Sequence, residues 1–429
     1  MNKKFTISEQ LLNRAEQSIP LGSQTFSKSK LVYPLGVSPL FIKRGSGCLV
    51  WDADDNQYID FVNGLLSISL GYCDVDVDAA VIEQIKSGVT FSLPHLLEME
   101  VAEQIIELIP SAEMVRFGKN GSDVTSAAIR IARAYTGQEH IAVCGYHGWQ
   151  DWYIGSTTRS LGVPECVKSL THKFDYNDIS SLEEVLNNNS GKIAAIILEP
   201  MNVFFPKNNF LQQVKALAVK HNAVLIFDEI ITGFRFHLNG AQHLFDVTPD
   251  ISTFGKGIAN GFPLSVIAGK KELMMLMEDI FYSGTFGGET LSLAAAKATI
   301  NKFKASDVLA HTHAMGDLLI NGLNTIITKH NAQALFSVSG HKAWPFLLVA
   351  QTQAVTEQEL SSYIQQEMHA RGILVGNAHN ISYAHQEEHI QTLLNAYDDI
   401  IPKAVKINAE GNFTQHFHGV VTKPVFKVR

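Results

Sequence analysis

Several common classes of protein are argued against by what this chain lacks. Only four of its 429 residues are cysteine, at 48, 73, 144 and 166, and no two of them form a C-x-x-C pair. That argues against a disulfide framework or a cysteine zinc site and points to reduced thiols in a cytoplasmic protein. No run of 18 apolar residues occurs, so no helical membrane span is expected. The opening segment MNKKFTISEQLLNRAEQ has a basic pair but no apolar core of a signal peptide, and it reads as an amphipathic helix. Basic residues are in deficit, 34 Lys and Arg against 42 Asp and Glu, for a net charge of −8. A nucleic-acid partner would favour a basic face, so that class is disfavoured. Internal repeats and low-complexity tracts are absent.

What is present suits a folded enzyme. Hydrophobic residues make up 46% of the chain and charged residues 18%, enough for a sizeable core. Residues 20–36 are loop-like, with Pro20-Leu-Gly-Ser and Tyr33-Pro-Leu-Gly. Residues 39–62 read as two short strands around an Asp-Asp-Asn turn, and 76–90 and 97–109 as helices. From about residue 113 strands and helices alternate. Strands are expected at 114–118, 141–144, 193–198 and 223–227, with helices over 122–135 and about 210–221. Short, wholly apolar strands separated by helices indicate a mostly parallel sheet covered on both faces. The fold class is therefore α/β. A large domain is expected over 63–305 and a smaller α+β domain over 306–429, joined by residues 1–62. Residues 149–175, with their Trp, Gly and Thr content, suit a lid, and the tail from Phe417 to Arg429 reads as a strand.

Five motifs stand out, several of them at expected strand ends, where open α/β sheets place their sites. Lys256 lies between Gly255 and Gly257, with room for a bulky adduct; a desolvated lysine amine forms a Schiff base with an aldehyde. Asp228 ends the strand AVLIFD, placed to pair with a protonated ring nitrogen or to cap the next turn. Asn120-Gly121-Ser122-Asp123 opens a helix, a geometry that serves both an N-cap and a phosphate site. Tyr146-His147-Gly148 follows the strand IAVCG and offers an aromatic face for a flat cofactor; the alternative is a packed core tyrosine with a surface histidine. Gly284-Thr285-Phe286-Gly287-Gly288-Glu289 is a second glycine-rich loop, ahead of an alanine-rich helix.

The order of these motifs, with Lys256 28 residues after Asp228, carries a resemblance. The stretches VRFGKNGSDVTSAAIRIARAYTG, GYHGWQDW, LIFDEIITGFR, DISTFGKGIANGFPLSVIAGK and SGTFGGETLSLAAA resemble the class III, fold type I aminotransferases that use pyridoxal 5′-phosphate (PLP), and within them the glutamate-1-semialdehyde aminomutase branch. The resemblance implies that Lys256 carries PLP covalently and shuttles the proton, and that Asp228 holds the pyridine nitrogen. Ile230 and Tyr146 would pack on opposite ring faces, with His147 among the cofactor contacts. Gly121 and Ser122 would bind the phosphate, helped by Thr285 of a neighbouring subunit in a homodimer. Glu199 and Asn202 would lie near the phenolic oxygen.

Departures from that pattern concern substrate. Thr25 and Lys28 stand in the segment where the aminomutase offers a serine and an arginine to a carboxylate, and a lysine cannot form the bidentate fork. Glu289 is expected to add a negative charge at the substrate mouth, repelling a dicarboxylate-like substrate and suiting a polyol. The expected function is a transaminase acting on a carbonyl-bearing small molecule, with an amino-sugar precursor of bacterial surface polysaccharide as candidate. Glutamate-1-semialdehyde aminomutase of tetrapyrrole synthesis is the second reading, and a non-catalytic protein of this fold the third. His385 and His389 have helical i, i+4 spacing, but no third ligand is evident, and no metal is expected.

Overall fold

A computed structural model describes residues 4–423. The chain divides into two compact units. Of the described residues, one unit runs from Val75 to Leu309, and the other combines 4–74 with 310–423.

The first unit is built on seven strands: β1 (Met114–Gly118), β2 (His140–Cys144), β3 (Thr171–Lys173), β4 (Ile193–Leu198), β5 (Val224–Asp228), β6 (Ile251–Phe254) and β7 (Ser265–Gly269). Their order across the sheet is β1-β7-β6-β5-β4-β2-β3. β7 runs antiparallel to both neighbours, and the other six strands share one direction. The sheet is thus mixed but mostly parallel. Four helices matter to the site: α1 (Gly121–Thr136), α2 (Ile179–Asn188), α3 (Phe210–Lys220) and α4 (Thr290–Ala305).

Side chains alternate across a strand, so a sheet covered on both faces must be apolar at every position. All six residues of β4 are buried. Ala195 and Ile197 face one core with Val124, Ala128 and Ile131 of α1. Ile196 and Leu198 face another with Leu182 and Leu186 of α2 and Phe210 and Val214 of α3. Each fully buried aliphatic side chain contributes about 1.5–3 kcal/mol, and α1 stops at Gly137, which adopts a left-handed φ of 67°.

Three of the seven strands, β3, β6 and β7, are not among those expected from the sequence. β3 is three residues long, an edge strand with the sequence Thr-His-Lys, and β7 begins with Ser265 beside a proline-containing turn. The segment 149–175, suited in sequence to a lid, contains β3, and its Trp152 and Tyr153 are buried. Trp152 Nε1 donates to Ser126 Oγ at 2.9 Å, and Tyr153 OH donates to the Gly145 carbonyl at 2.8 Å.

The other unit has a four-stranded sheet, Ile42–Ser46, Leu49–Asp52, Gln57–Asp60 and Ile373–Leu374, and a separate hairpin, Phe336–His341 with Trp344–Val349. Three strands therefore occupy residues 39–62 where two were expected, because Gly47, at φ 56°, permits a tight reversal inside the first. Helices Glu357–Ala370 and Glu387–Glu410 pack around Phe61, Leu360, Ile373, Leu393 and Ile400. His385 lies before the second of these helices, so the His385–His389 spacing is not that of one helical face. Its Nδ1 is 2.9 Å from Ser382 Oγ. Among the described residues no helix is long and apolar enough to cross a membrane. Val420 bridges Leu35, and residues 424–429 of the tail lie outside the described residues.

Candidate active site

The parallel strands end on one edge of the sheet, and the chemistry-bearing residues follow those ends: Lys119–Ser122 after β1, Gly145–Gly148 after β2, Glu199–Asn202 after β4, Asp228 at the end of β5 and Lys256 after β6. Ser265, which starts the antiparallel β7, pairs with Gly118 at the same edge.

Asp228 is 4% exposed, and every named contact holds it. Its Oδ2 is 2.8 Å from His147 Nδ1, and its Oδ1 accepts from the Ile230 N–H at 3.1 Å and from Thr253 Oγ1 at 3.4 Å. His147 Nε2 faces the Cys144 carbonyl oxygen at 3.1 Å. A carbonyl oxygen only accepts, so Nε2 is the donor in that contact. The alternative reading of a packed Tyr146 with a surface His147 is overturned. His147, read in one alternative as a surface residue, is 1% exposed, while Tyr146 is 45% exposed. The 147 side chain meets the carboxylate of Asp228, so its named contact is to the residue expected to hold the cofactor.

Glu199 is buried, and its Oε2 accepts from the Tyr146 N–H at 3.1 Å and from Asn202 Nδ2 at 2.9 Å. Burial, then the nearby Asp228 charge, raise its pKa above the ordinary glutamate value; His147 and the two hydrogen bonds oppose them. Lys256 is part-buried and adopts φ 47°, a left-handed conformation that a lysine rarely takes. Such strain concentrates at functional positions. Burial lowers its amine from the ordinary lysine value; Asp228 and Glu199 pull it back up, and Arg235 adds to the lowering.

At α1 the Asp123 carboxylate accepts from the N–H groups of Lys119 and Asn120 at 3.1 and 2.8 Å. The first-turn N–H groups of Gly121 and Ser122 have no carbonyl one turn earlier in the helix to bond, and the helix dipole makes this end positive. Glycine is required around this cradle. A Cβ on Gly121 would sit 2.6 Å from Ile230 Cδ1, and one on Gly148 only 2.3 Å from Ser122 Oγ. Ser122 Oγ also accepts from the Trp149 N–H at 3.2 Å.

The remaining expected residues fall elsewhere. Thr285 is exposed, as are Thr25 and Lys28 in the other unit, where Lys28 ends a short turn over Phe26–Lys28. Glu289 does not present an unpaired charge. Its carboxylate caps α4, accepting from the Leu291 N–H at 2.6 Å, and pairs with Lys119 Nζ at 2.9 Å. The expected repulsion at a substrate mouth loses its basis. Lys119 was the partner that the motif reading passed over, since a lysine before a glycine loop reads as a solvated charge.

A partly desolvated amine on a strained turn, a strand-end carboxylate oriented by a buried histidine, and a glycine-lined helix start fit PLP, which needs a lysine, a partner for its ring nitrogen and a seat for its phosphate. Fold and site together define a PLP-dependent enzyme of fold type I. The chain belongs to the class-III aminotransferases, whose family model matches residues 32–401. It is 34% identical to the 3-aminobutyryl-CoA aminotransferase of Cloacimonas acidaminovorans, over 94% of this chain and 99% of that one. It is 37% identical to the glutamate-1-semialdehyde 2,1-aminomutase of Francisella philomiragia, over 74% of this chain and 77% of that one. Among solved structures it is similar to the FumI protein of Sphingopyxis sp. MTA144 with PLP, at a TM-score of 0.88 and 26% identity, covering 94% of this chain and 98% of that one. The protein is a PLP-dependent transaminase or aminomutase, and its substrates are an amino donor and a carbonyl acceptor.

Proposed function

We propose an intermolecular aminotransferase that takes an amine from a donor and delivers it to a separate carbonyl-bearing small molecule. The buried Asp228–His147 pair, 2.8 Å apart at the same sheet edge as Lys256, supports PLP amine chemistry, and the near full-length likeness to an aminotransferase, over 94% of this chain, carries the intermolecular reading. Bound PLP supplies an electron sink for charge on the donor carbon. Asp228 keeps the ring nitrogen protonated, and His147 orients Asp228 by occupying its other oxygen. Ile230 and Tyr146 clamp the ring, and the N–H groups of Gly121 and Ser122 hold the phosphate. Asn202 and the Tyr146 N–H orient Glu199 toward the phenolic oxygen. Lys256 Nζ, whose pKa burial lowers from the ordinary lysine value, is the group that would accept a proton from the donor carbon and return it elsewhere.

Lys28 in place of an arginine argues against tight bidentate capture of a carboxylate, and so against glutamate 1-semialdehyde as the substrate. With Glu289 paired to Lys119, an amino-sugar precursor rests as candidate acceptor on the Lys28 departure alone, which suits an acceptor without that carboxylate. A second reading, amine transfer with 3-aminobutyryl-CoA as a substrate, is supported by the near full-length likeness to that aminotransferase. We read the enzyme as a cytoplasmic homodimer in which Thr285 serves the partner's phosphate; the exposure of Thr285, and of its neighbours Phe281 and Phe286 at 84% and 58%, supports this.

The test uses the two half-reactions. The PLP form is mixed with single amino donors and the pyridoxamine form with single acceptors, and the visible absorption band is followed. The proposal expects conversion in each direction by separate compounds. Rapid formation of 5-aminolevulinate from glutamate 1-semialdehyde would overturn it in favour of the aminomutase.

A further inference from the structure

Two glycine-rich segments of the Val75–Leu309 unit are joined by one ion pair. Lys119 immediately precedes the Asn120-Gly121-Ser122 cradle, and Glu289 immediately follows the Gly284–Gly288 loop that carries Thr285. Lys119 Nζ donates to Glu289 Oε2 at 2.9 Å, with side chains 19% and 13% exposed. Both partners are anchored. The Glu289 carboxylate also accepts from Ser292 N–H at 3.3 Å and Ser292 Oγ at 2.7 Å, besides Leu291. The Lys119 main chain is tied to Asp123. Burial alone would raise the Glu289 carboxyl, but its hydrogen bonds from Ser292, Lys119 and Leu291 prevail and hold it below the ordinary value. Residues of both segments, Lys119 and Thr285, line a cavity of about 400 Å³ together with Asp123, Arg130, Gln150 and Tyr282.

We infer that the Lys119–Glu289 pair is a latch that positions the cradle and so sets how firmly Gly121 and Ser122 retain the cofactor phosphate. This rests on the reading of those two residues as the phosphate site. A lysine beside a phosphate seat would ordinarily be drawn to the dianion. Here Glu289 holds its charge, so the lysine fixes loop geometry and the backbone N–H groups face the phosphate. Removing either partner cuts the tie between the two segments and leaves the other partner's mostly buried charge without its counter-ion.

The experiment measures PLP dissociation from the holoenzyme, and PLP and pyridoxal binding to the apoenzyme, for wild type, Glu289→Gln, Lys119→Met and the double variant. The latch predicts PLP release roughly tenfold faster in each single variant, the scale of one charge-assisted hydrogen bond. The double variant should be no worse than either single. Pyridoxal, which lacks the phosphate, should bind all four proteins alike, which a general loss of structure would not produce. Lys119→Arg should restore near-normal retention. Single variants within about twofold of wild type, or additive losses in the double variant, would overturn the latch. So would slower release in Glu289→Gln with faster release in Lys119→Met, which would make Lys119 a direct phosphate ligand. Ser122→Glu checks the underlying reading separately. It should abolish PLP binding while sparing pyridoxal, and retained PLP affinity would move the phosphate site elsewhere.

Discussion

The surroundings of Lys256 and the segment bearing Thr25 and Lys28 are built on opposite terms. Asp228, His147 and Glu199 are each under 10% exposed, and each is held by at least two hydrogen bonds from strand ends. Thr25 and Lys28 are exposed, and the hydrogen bonds around them are local main-chain or serine contacts within Ser23–Ser29. Groups that tune a cofactor must be pre-organised and desolvated, because their charges act strongly only where water is excluded. Groups that choose among substrates on an exposed segment exchange readily without disturbing a core. On the proposed roles, the cofactor chemistry lies in the buried sheet edge and the substrate choice in the exposed segment.

That contrast is broken or sharpened by substitution. The largest effect is expected from Lys256→Ala. It should lose the visible cofactor band and lower the turnover number by about 10⁴-fold, the upper scale of positioned acid–base catalysis. Asp228→Asn should come next, with a fall in turnover of about 10²-fold or more and the protein still folded. His147→Asn, which acts only through Asp228, should cost less than Asp228→Asn and should add little in the double variant.

A smaller effect concerns the apoenzyme. Because burial lowers the Lys256 pKa, the unfolded chain binds more protons than the folded one between the lowered value and the ordinary 10.5. The penalty for that amine is therefore full below the window and fades as pH rises through it. Lys256→Met apoenzyme should be more stable than wild-type apoenzyme at neutral pH, with the gap closing as pH approaches 10.5, as followed by denaturant melts. The smallest effects belong to the exposed segment. Thr25→Ala and Lys28→Ala should leave stability within about 0.5 kcal/mol of wild type and alter KM for the acceptor alone. A lost cofactor band in either variant would erase the contrast.

Legibility in the sequence followed the same division. Ile193–Leu198 was readable to the residue because a strand buried on both faces has no polar interruption. Gly121–Thr136 was readable from its apolar stripe and its opening Asn-Gly-Ser. Thr171–Lys173 was not, since an edge strand of three mixed residues has no period, and Ser265–Gly269 was masked by the lysine motif before it. At the site, Lys256 and Asp228 stood out as motif residues. The pairing of His147 with Asp228 did not, because the two are 81 residues apart and only the sheet order brings strands His140–Cys144 and Val224–Asp228 close. Glu289 misled for the same reason: its partner Lys119 is 170 residues away, and a charge read without its partner looks free.

The central claim, that Lys256 is the covalent anchor of the cofactor, has a direct measurement. The holoenzyme is reduced with borohydride and digested, and the peptides are weighed. The account predicts a phosphopyridoxyl adduct on the lysine of Gly255-Lys256-Gly257. An adduct on any other lysine, or none on a protein that binds PLP, would contradict it.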